Sequence, residues 1–246
     1  MLNGQEDARS IILQYQEANS IEDLTSEIQY RNISKKGRVQ SRELQQYIHR
    51  ADKASNKYNF LLQFTAPGDI AGTSTLTLQH QEKDDDQWLY LPALRSAKKI
   101  SASKKSDRFM GTEMTYEDLS NYLSEPVDEY NYTLIGEDEM SGSKTMKIEV
   151  SPLQGTQSQY SKKVVWIDES VNQMLRMEFY NKKGELLKTF VASDIRLVPG
   201  TSHYRAHQIV IENQKTGNRT EVVYDGFVID SGVEKEMFSK SYLESL

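Results

Sequence analysis

The chain has no cysteine and only five prolines in 246 residues. Without thiols there can be no disulfide framework, no thiolate nucleophile and no zinc–thiolate centre. No apolar run approaches the roughly 20 residues that a membrane-spanning helix needs. Net positive charge is lacking too: the formal balance is −6 and the sequence pI about 5.4, which argues against a nucleic-acid partner. The first residues, Met1 to Asp7, carry neither a basic head nor an apolar core, so they do not read as an export signal. A removed signal replaced by a start methionine would look the same. Hydrophobic residues make up only 37% of the chain. A sheet with one face in water gives such a fraction; a fully buried parallel sheet does not.

What is present is mostly period-two alternation. One early segment differs: Ala8, Ile11, Ile12 and Tyr15 recur at helical spacing behind Asp7, predicting a helix over Asp7–Ala18. Strands are then expected around Ile28–Asn32, Leu44–His49, Phe60–Phe64, Leu76–Leu78 and the stretch QWLYL from Gln87 to Leu91. Later ones are expected near Tyr130–Gly136, Lys144–Val150, Lys163–Ile167, Gln173–Tyr180, Leu186–Ile195, Tyr204–Glu212 and Thr220–Ile229. The turns NKKGE and QKTGN have the short, polar, glycine-bearing chemistry of hairpins. Thr115 with Asp118 three residues later resembles a capping box at the start of TYEDLSNYL, and a last helix is expected after Glu234. The fold class is therefore mainly β with a few helices: about ten or eleven antiparallel strands in one sheet wide enough to curl, in a single domain spanning residues 1–246.

Motifs for catalysis fail on inspection. GEDEMSGSKT, Gly136 to Thr145, superficially resembles a phosphate loop, but Ser143 separates Gly142 from Lys144 and three acids precede them. His203 and His207 are four apart in a strand pattern, about 13 Å, too far to share a metal without a bulge. Asp84, Asp85 and Asp86 are consecutive, not spaced as calcium ligands are. No nucleophile elbow and no dinucleotide fingerprint is present. No enzyme, metal or cofactor is expected.

Two features remain. Several strands are apolar on both faces: Trp88 and Tyr90 point one way, Leu89 and Leu91 the other, and Val164 with Trp166 opposes Val165 with Ile167. Such strands must be covered on both sides or must line a cavity. Directly after the first of them the chain turns basic, with Arg95, Lys98, Lys99, Lys104, Lys105 and Arg108 against the single acid Asp107. A cationic rim beside an apolar cavity suits an amphiphile with an anionic head. Trp88, Tyr90, Leu91, Phe109, Met110, Tyr116 and Trp166 are the candidates for the lining or mouth of that cavity, and the six cations are the candidate rim.

The segment Pro67 to Leu119 closely resembles the LolA-like outer-membrane lipoprotein-sorting proteins, in the long branch associated with envelope lipid and drug exporters. The resemblance rests on Pro67, Gly72-Thr73 and Leu76, on Trp88-Leu89-Tyr90-Leu91-Pro92, and on a basic run ending at Ile100. Phe109-Met110-Gly111 and Thr115-Tyr116-Glu117-Asp118-Leu119 follow in order, and the closing MFSKSYL is similar to the terminal helix of the family. Departures are Ser96-Ala97-Lys98-Lys99 in place of the usual arginines and Met114 where an aromatic is expected. The resemblance implies a highly curved, unclosed β-barrel with helices as a lid over an apolar cavity. It implies a non-enzymatic, periplasmic carrier of lipid or lipoprotein acyl chains toward the outer membrane, meeting an inner-membrane exporter or an outer-membrane acceptor. The alternative is a non-transporting envelope sensor or an accessory module of an exporter.

Overall fold

In the computed structural model, which describes residues 4–52, 56–81, 83–121 and 125–246, thirteen strands form one antiparallel sheet. In chain order the elements are α1 (Gly4–Ala18), β1 (Asp23–Ile33), β2 (Val39–Asp52), β3 (Lys57–Ala66), β4 (Ser74–Leu78), β5 (Asp86–Leu91) and β6 (Ser96–Lys99). A short helix α2 (Tyr116–Ser120) comes next, then β7 (Tyr130–Met140), β8 (Ser143–Pro152), β9 (Tyr160–Asp168), β10 (Gln173–Asn181), β11 (Leu186–Leu197), β12 (Tyr204–Asn213), β13 (Arg219–Ile229) and α3 (Lys240–Ser245). The spatial order runs β6 to β1, then β13 back to β7, so the chain ends β1 and β13 pair at the centre and the sheet does not close. The sheet is thus an unclosed antiparallel barrel wall, as expected. Thirteen strands exceed the expected ten or eleven; twelve of them fall on the strand segments named from the sequence, and the one that does not is β6, four residues long with two lysines and no apolar alternation.

Register puts the alternating apolar residues on one concave face. Ile28 lies opposite Leu44 on one side and Tyr224 on the other, and Leu44 lies opposite Phe64. These residues and Ile209, Ile211 and Val222 form one buried cluster. Helix α1 buries Ala8, Ile11 and Ile12 against Tyr132, Ile148, Val150 and Val165 of β7–β9, which is the face its helical spacing marks.

The other face is not all solvent. Leu61, Leu76 and Tyr90 pack under Phe238 and Leu243 of the C-terminal segment, with Trp88 partly buried among them. Strand β3 is therefore apolar on both sides because it is covered on both sides, while β4 turns Thr75 and Thr77 to the concave face. The Ser239 hydroxyl caps α3 by accepting the Tyr242 N–H at 3.1 Å, and Leu243 is fully buried. The expected helices at Asp7–Ala18, after Thr115 and after Glu234 are all present; Tyr122 and Leu123 of the second lie outside the described residues.

Candidate functional site

A cavity of about 160 Å³ opens on the concave face between α1, α2 and strands β1, β2 and β7–β13. Its apolar walls come from Ile12 of α1, Val150 and Val165 of the middle strands, and Met177, Phe190 and Ile209 beyond them. A second void of about 50 Å³ adjoins it, with Gln46 and Met114 lining both. Phe109, Leu44, Leu62 and Val222 line this second void.

The segment from Arg108 to Thr115 plugs the mouth on the β1–β3 side. Phe109 stacks on Phe64 with centroids 6.1 Å apart and meets Tyr116 edge-on at 5.7 Å. Met110 sits at φ 46°, and its carbonyl accepts a hydrogen bond from Arg42 Nη1 at 2.7 Å. Gly111 follows at φ +81°, a left-handed conformation that a residue without Cβ adopts without cost. Thr115 and Asp118 form the anticipated capping box: Thr115 Oγ1 accepts the Asp118 N–H at 3.2 Å and Asp118 Oδ2 accepts the Thr115 N–H at 2.7 Å.

Three cationic side chains that the sequence reading did not single out line the cavity. Lys188, with 4% of its side chain exposed, forms an ion pair with Asp118. Its ammonium also donates to the Glu113 carbonyl at 3.1 Å and lies 4.7 Å from the centroid of the Phe179 ring. Lys163 forms a second pair with Glu125 and lies 5.0 Å from the Tyr130 ring centroid. Arg205 donates to Asn19 Oδ1 at 2.9 Å. Each lysine reads as an ordinary outward strand residue in sequence, because its carboxylate partner lies tens of positions away and only the curvature of the sheet brings it close. Tyr132 also lines the cavity, 2% exposed, and its hydroxyl has no hydrogen-bond partner among the described residues. Burial pushes its phenol above the usual value, so it stays a protonated donor across the physiological range.

The anticipated cavity residues fall into two groups. Phe109 and Met110 of the plug and Tyr116 at the start of α2 come together, all three belonging to or packing against the central cluster, and Phe109 lines the smaller void. Trp88 and Tyr90 lie on the convex side under the C-terminal segment. Leu91 ends β5 and precedes the turn at Pro92. Trp166 is on the convex side of β9, opposite to Val165, which lines the cavity. Its indole donates to Asp138 Oδ2 at 3.0 Å and sits between Lys147 and Arg176, 4.7 and 5.4 Å from the ring centroid.

The basic run is divided in the same way. Arg108 pairs with the buried Glu113 at 3.0 Å. Lys99 pairs with Asp86 at 2.5 Å and overlies Trp88. Among the described residues Arg95, Lys98, Lys104 and Lys105 form no ion pair. Asp86 also meets His80 at 2.9 Å and Lys83 at 3.1 Å. Burial raises its carboxyl, but these hydrogen bonds outweigh burial and hold it well below the usual carboxylate range. A depressed folded-state value contributes stability above the ordinary value near about 3.9, lost as pH falls through the depressed one. Lys99→Ala is expected to move the Asp86 titration, followed by its carboxyl carbon resonance, back up toward the ordinary value. An unmoved midpoint would assign the depression to His80 and Lys83 alone. His203 and His207 do not converge: their Nδ1 atoms face the carbonyls of Ala18 at 3.2 Å and Tyr224 at 3.1 Å.

A crystal structure of a Vibrio parahaemolyticus domain named for outer membrane lipoprotein sorting superposes with TM-score 0.89 at 29% identity, over 98% of this chain and 99% of the other. A family model described as "Uncharacterized protein" matches residues 56–245. The chain belongs to the LolA-like family. A DUF1329 family protein from Desulfovibrio piger is similar at 28% identity and TM-score 0.92, covering 98% of this chain and 99% of that one. A LolA superfamily protein from Nitrosomonas europaea shares the fold at TM-score 0.73 and 18% identity, over 96% and 98% of the two chains. No curated protein matches the sequence. The LolA-like assignment fits an open barrel wall with a plug segment and a concave-face cavity. Among the described residues, no helix is long and apolar enough to cross a membrane.

Proposed function

We propose that the protein, as one LolA-like domain over residues 1–246, is a periplasmic carrier that takes acyl chains of a lipid or lipoprotein into its concave-face cavity for transfer toward the outer membrane. The observation that carries this reading is the 160 Å³ cavity with an adjoining void, walled mainly by aliphatic and aromatic side chains. Its two lysines are already paired, Lys188 with Asp118 and Lys163 with Glu125, and Arg205 is hydrogen-bonded to Asn19. An uncharged chain therefore enters without having to satisfy a lone buried ion. The unpartnered Tyr132 hydroxyl supplies a donor for an ester or carboxyl oxygen. Nothing in this arrangement calls for covalent chemistry.

The test is mass spectrometry of an organic extract from protein purified out of the periplasm. An acyl lipid or lipoprotein fragment near one per chain supports the carrier. A protein that stays empty, and takes up no fluorescent fatty acid when offered it, would turn the reading toward a sensor or an exporter's accessory module. Arg95, Lys98, Lys104 and Lys105 serve as a collective encounter surface for an anionic membrane or an acidic partner, an inner-membrane exporter or an outer-membrane acceptor. Exposed charges are worth about 0–1 kcal/mol each, so they act through encounter rate and weaken with salt, the Debye length being about 8 Å at physiological ionic strength. Reversing Lys98, Lys104 and Lys105 to Glu is expected to leave folding unchanged and to slow association with phosphatidylglycerol vesicles at low salt. An unchanged rate and salt dependence would make these residues solvated loop.

A further inference from the structure

A polar cleft of about 140 Å³ lies outside the apolar cavity, where the β1–β2 turn, the β12–β13 turn and the plug segment meet. Arg38, Arg108 and Arg219 line it together with Asn32, Gly111 and Glu113. We propose that this cleft binds an oxyanion of the phosphate class, either free phosphate or the phosphate of a lipid headgroup.

Two independent observations point to a ligand. The first is Asn32, 9% exposed, whose Nδ2 has no hydrogen-bond partner among the described residues. Its orientation is fixed by a relay. Thr220 Oγ1 accepts the Glu113 N–H at 2.9 Å and donates to Asn32 Oδ1 at 2.9 Å. The amide nitrogen is thereby left as the donor, next to Gly111, where an added Cβ would lie 3.8 Å from it. A buried donor without an acceptor is destabilising, and an oxyanion in the cleft relieves that cost.

The second observation is charge. Glu221 is shared by Arg31 at 3.1 Å and Arg219 at 3.0 Å, one carboxylate for two guanidinium groups. Among the described residues Arg38 has no ion pair, and the turn that carries it reads SKKGR. Among the described residues the one acid lining the cleft, Glu113, is turned to its own donors: Oε1 meets Arg108 at 3.0 Å and Oε2 accepts from Asn213 at 2.9 Å. Guanidinium forks match the planar edges of phosphate oxygens, and such bonds are about twice as strong as neutral ones.

The experiment titrates inorganic phosphate into isotope-labelled protein at constant ionic strength against chloride. The Asn32 side-chain amide resonances are expected to shift and saturate, and the melting temperature to rise with phosphate concentration, as ligand linkage requires. In Arg38→Ser/Arg219→Ser, which removes two exposed side chains and leaves the Arg108–Glu113 pair intact, the apparent affinity should fall at least tenfold. In a second arm, the same proteins are sedimented with vesicles of phosphatidylglycerol in phosphatidylcholine and with phosphatidylcholine alone. A response to free phosphate, with no difference between variant and parent on vesicles, assigns the site to the free ion. Vesicle binding lost in the variant and displaced by phosphate assigns it to a headgroup. No Asn32 shift beyond the chloride control, together with equal vesicle binding by parent and variant, overturns the proposal. The cleft shares no lining residue with the main cavity, so an empty acyl cavity and an inert cleft are separate results.

Discussion

Asp118→Asn is expected to lower the unfolding free energy by about 3–5 kcal/mol, the usual result of removing one partner of a buried ion pair. The substitution leaves the Lys188 ammonium, 4% exposed, without a counter-charge, among a neutral amide, one carbonyl at 3.1 Å and two aromatic faces. Lys188→Met should cost less. The carboxylate it strands still accepts the Thr115 N–H at 2.7 Å and the Tyr160 hydroxyl at 2.8 Å, and hydrogen bonding to the charged form offsets part of the lost attraction. The double variant should be more stable than the sum of the two single losses allows, because neither charge is then stranded; couplings between contacting groups run about 0.5–3 kcal/mol. Urea unfolding of the four proteins measures the cycle. Additive losses would mean that the two groups do not depend on each other and that the pair is not what fixes α2 over the cavity.

The alternation of Ile28, Tyr30, Leu44, Phe60, Leu62 and Phe64 was enough to place the concave face, since side chains two apart on a strand share a side. Thr115 and Asp118 announced α2 for a similar reason: a cap is local, and its residues lie three apart. The apolar face of β10 was readable too, and Met177 and Phe179 line the cavity. What periodicity does not carry is which side of a doubly apolar strand faces inward. Trp88 alternates with Leu89 as Val165 does with Trp166, and nothing within either strand distinguishes cavity from cover. The answer for β5 lies about 150 residues downstream, in Phe238 and Leu243, which cover the convex side. For Trp166 it lies in Lys147 and Arg176, the residues that register sets opposite it on β8 and β10. Cations flanking an indole give a convex-side tryptophan its burial without an apolar neighbour. The basic run looked uniform because its acids, Asp86 and Glu113, come from different elements. Folding sends Lys99 to the convex side and Arg108 to the plug.

Placing a bulky ring inside the cavity should separate binding from stability. Ala192, buried on β11 and opposite Ile209, lines the cavity beside Phe190. In Ala192→Trp the indole has the 160 Å³ void to enter. Overpacking a filled core typically costs about 1–3 kcal/mol, and a site that already holds a void should fall at or below the low end of that range. An acyl chain competing for the same space loses about 0.8 kcal/mol for each methylene it can no longer bury. Excluding two methylenes already reaches about tenfold, the change that about 1.4 kcal/mol represents. Fluorescent fatty-acid affinity is therefore expected to fall at least tenfold in Ala192→Trp, with the melting temperature little changed. Val223→Trp supplies the control: Val223 is 43% exposed and outside both voids, and its variant should bind like the parent. Equal, undiminished binding by both variants would place the acyl chain somewhere other than the concave-face cavity. Equal loss in both would trace the defect to an effect of the added indole common to the two sites, because the two positions share no void.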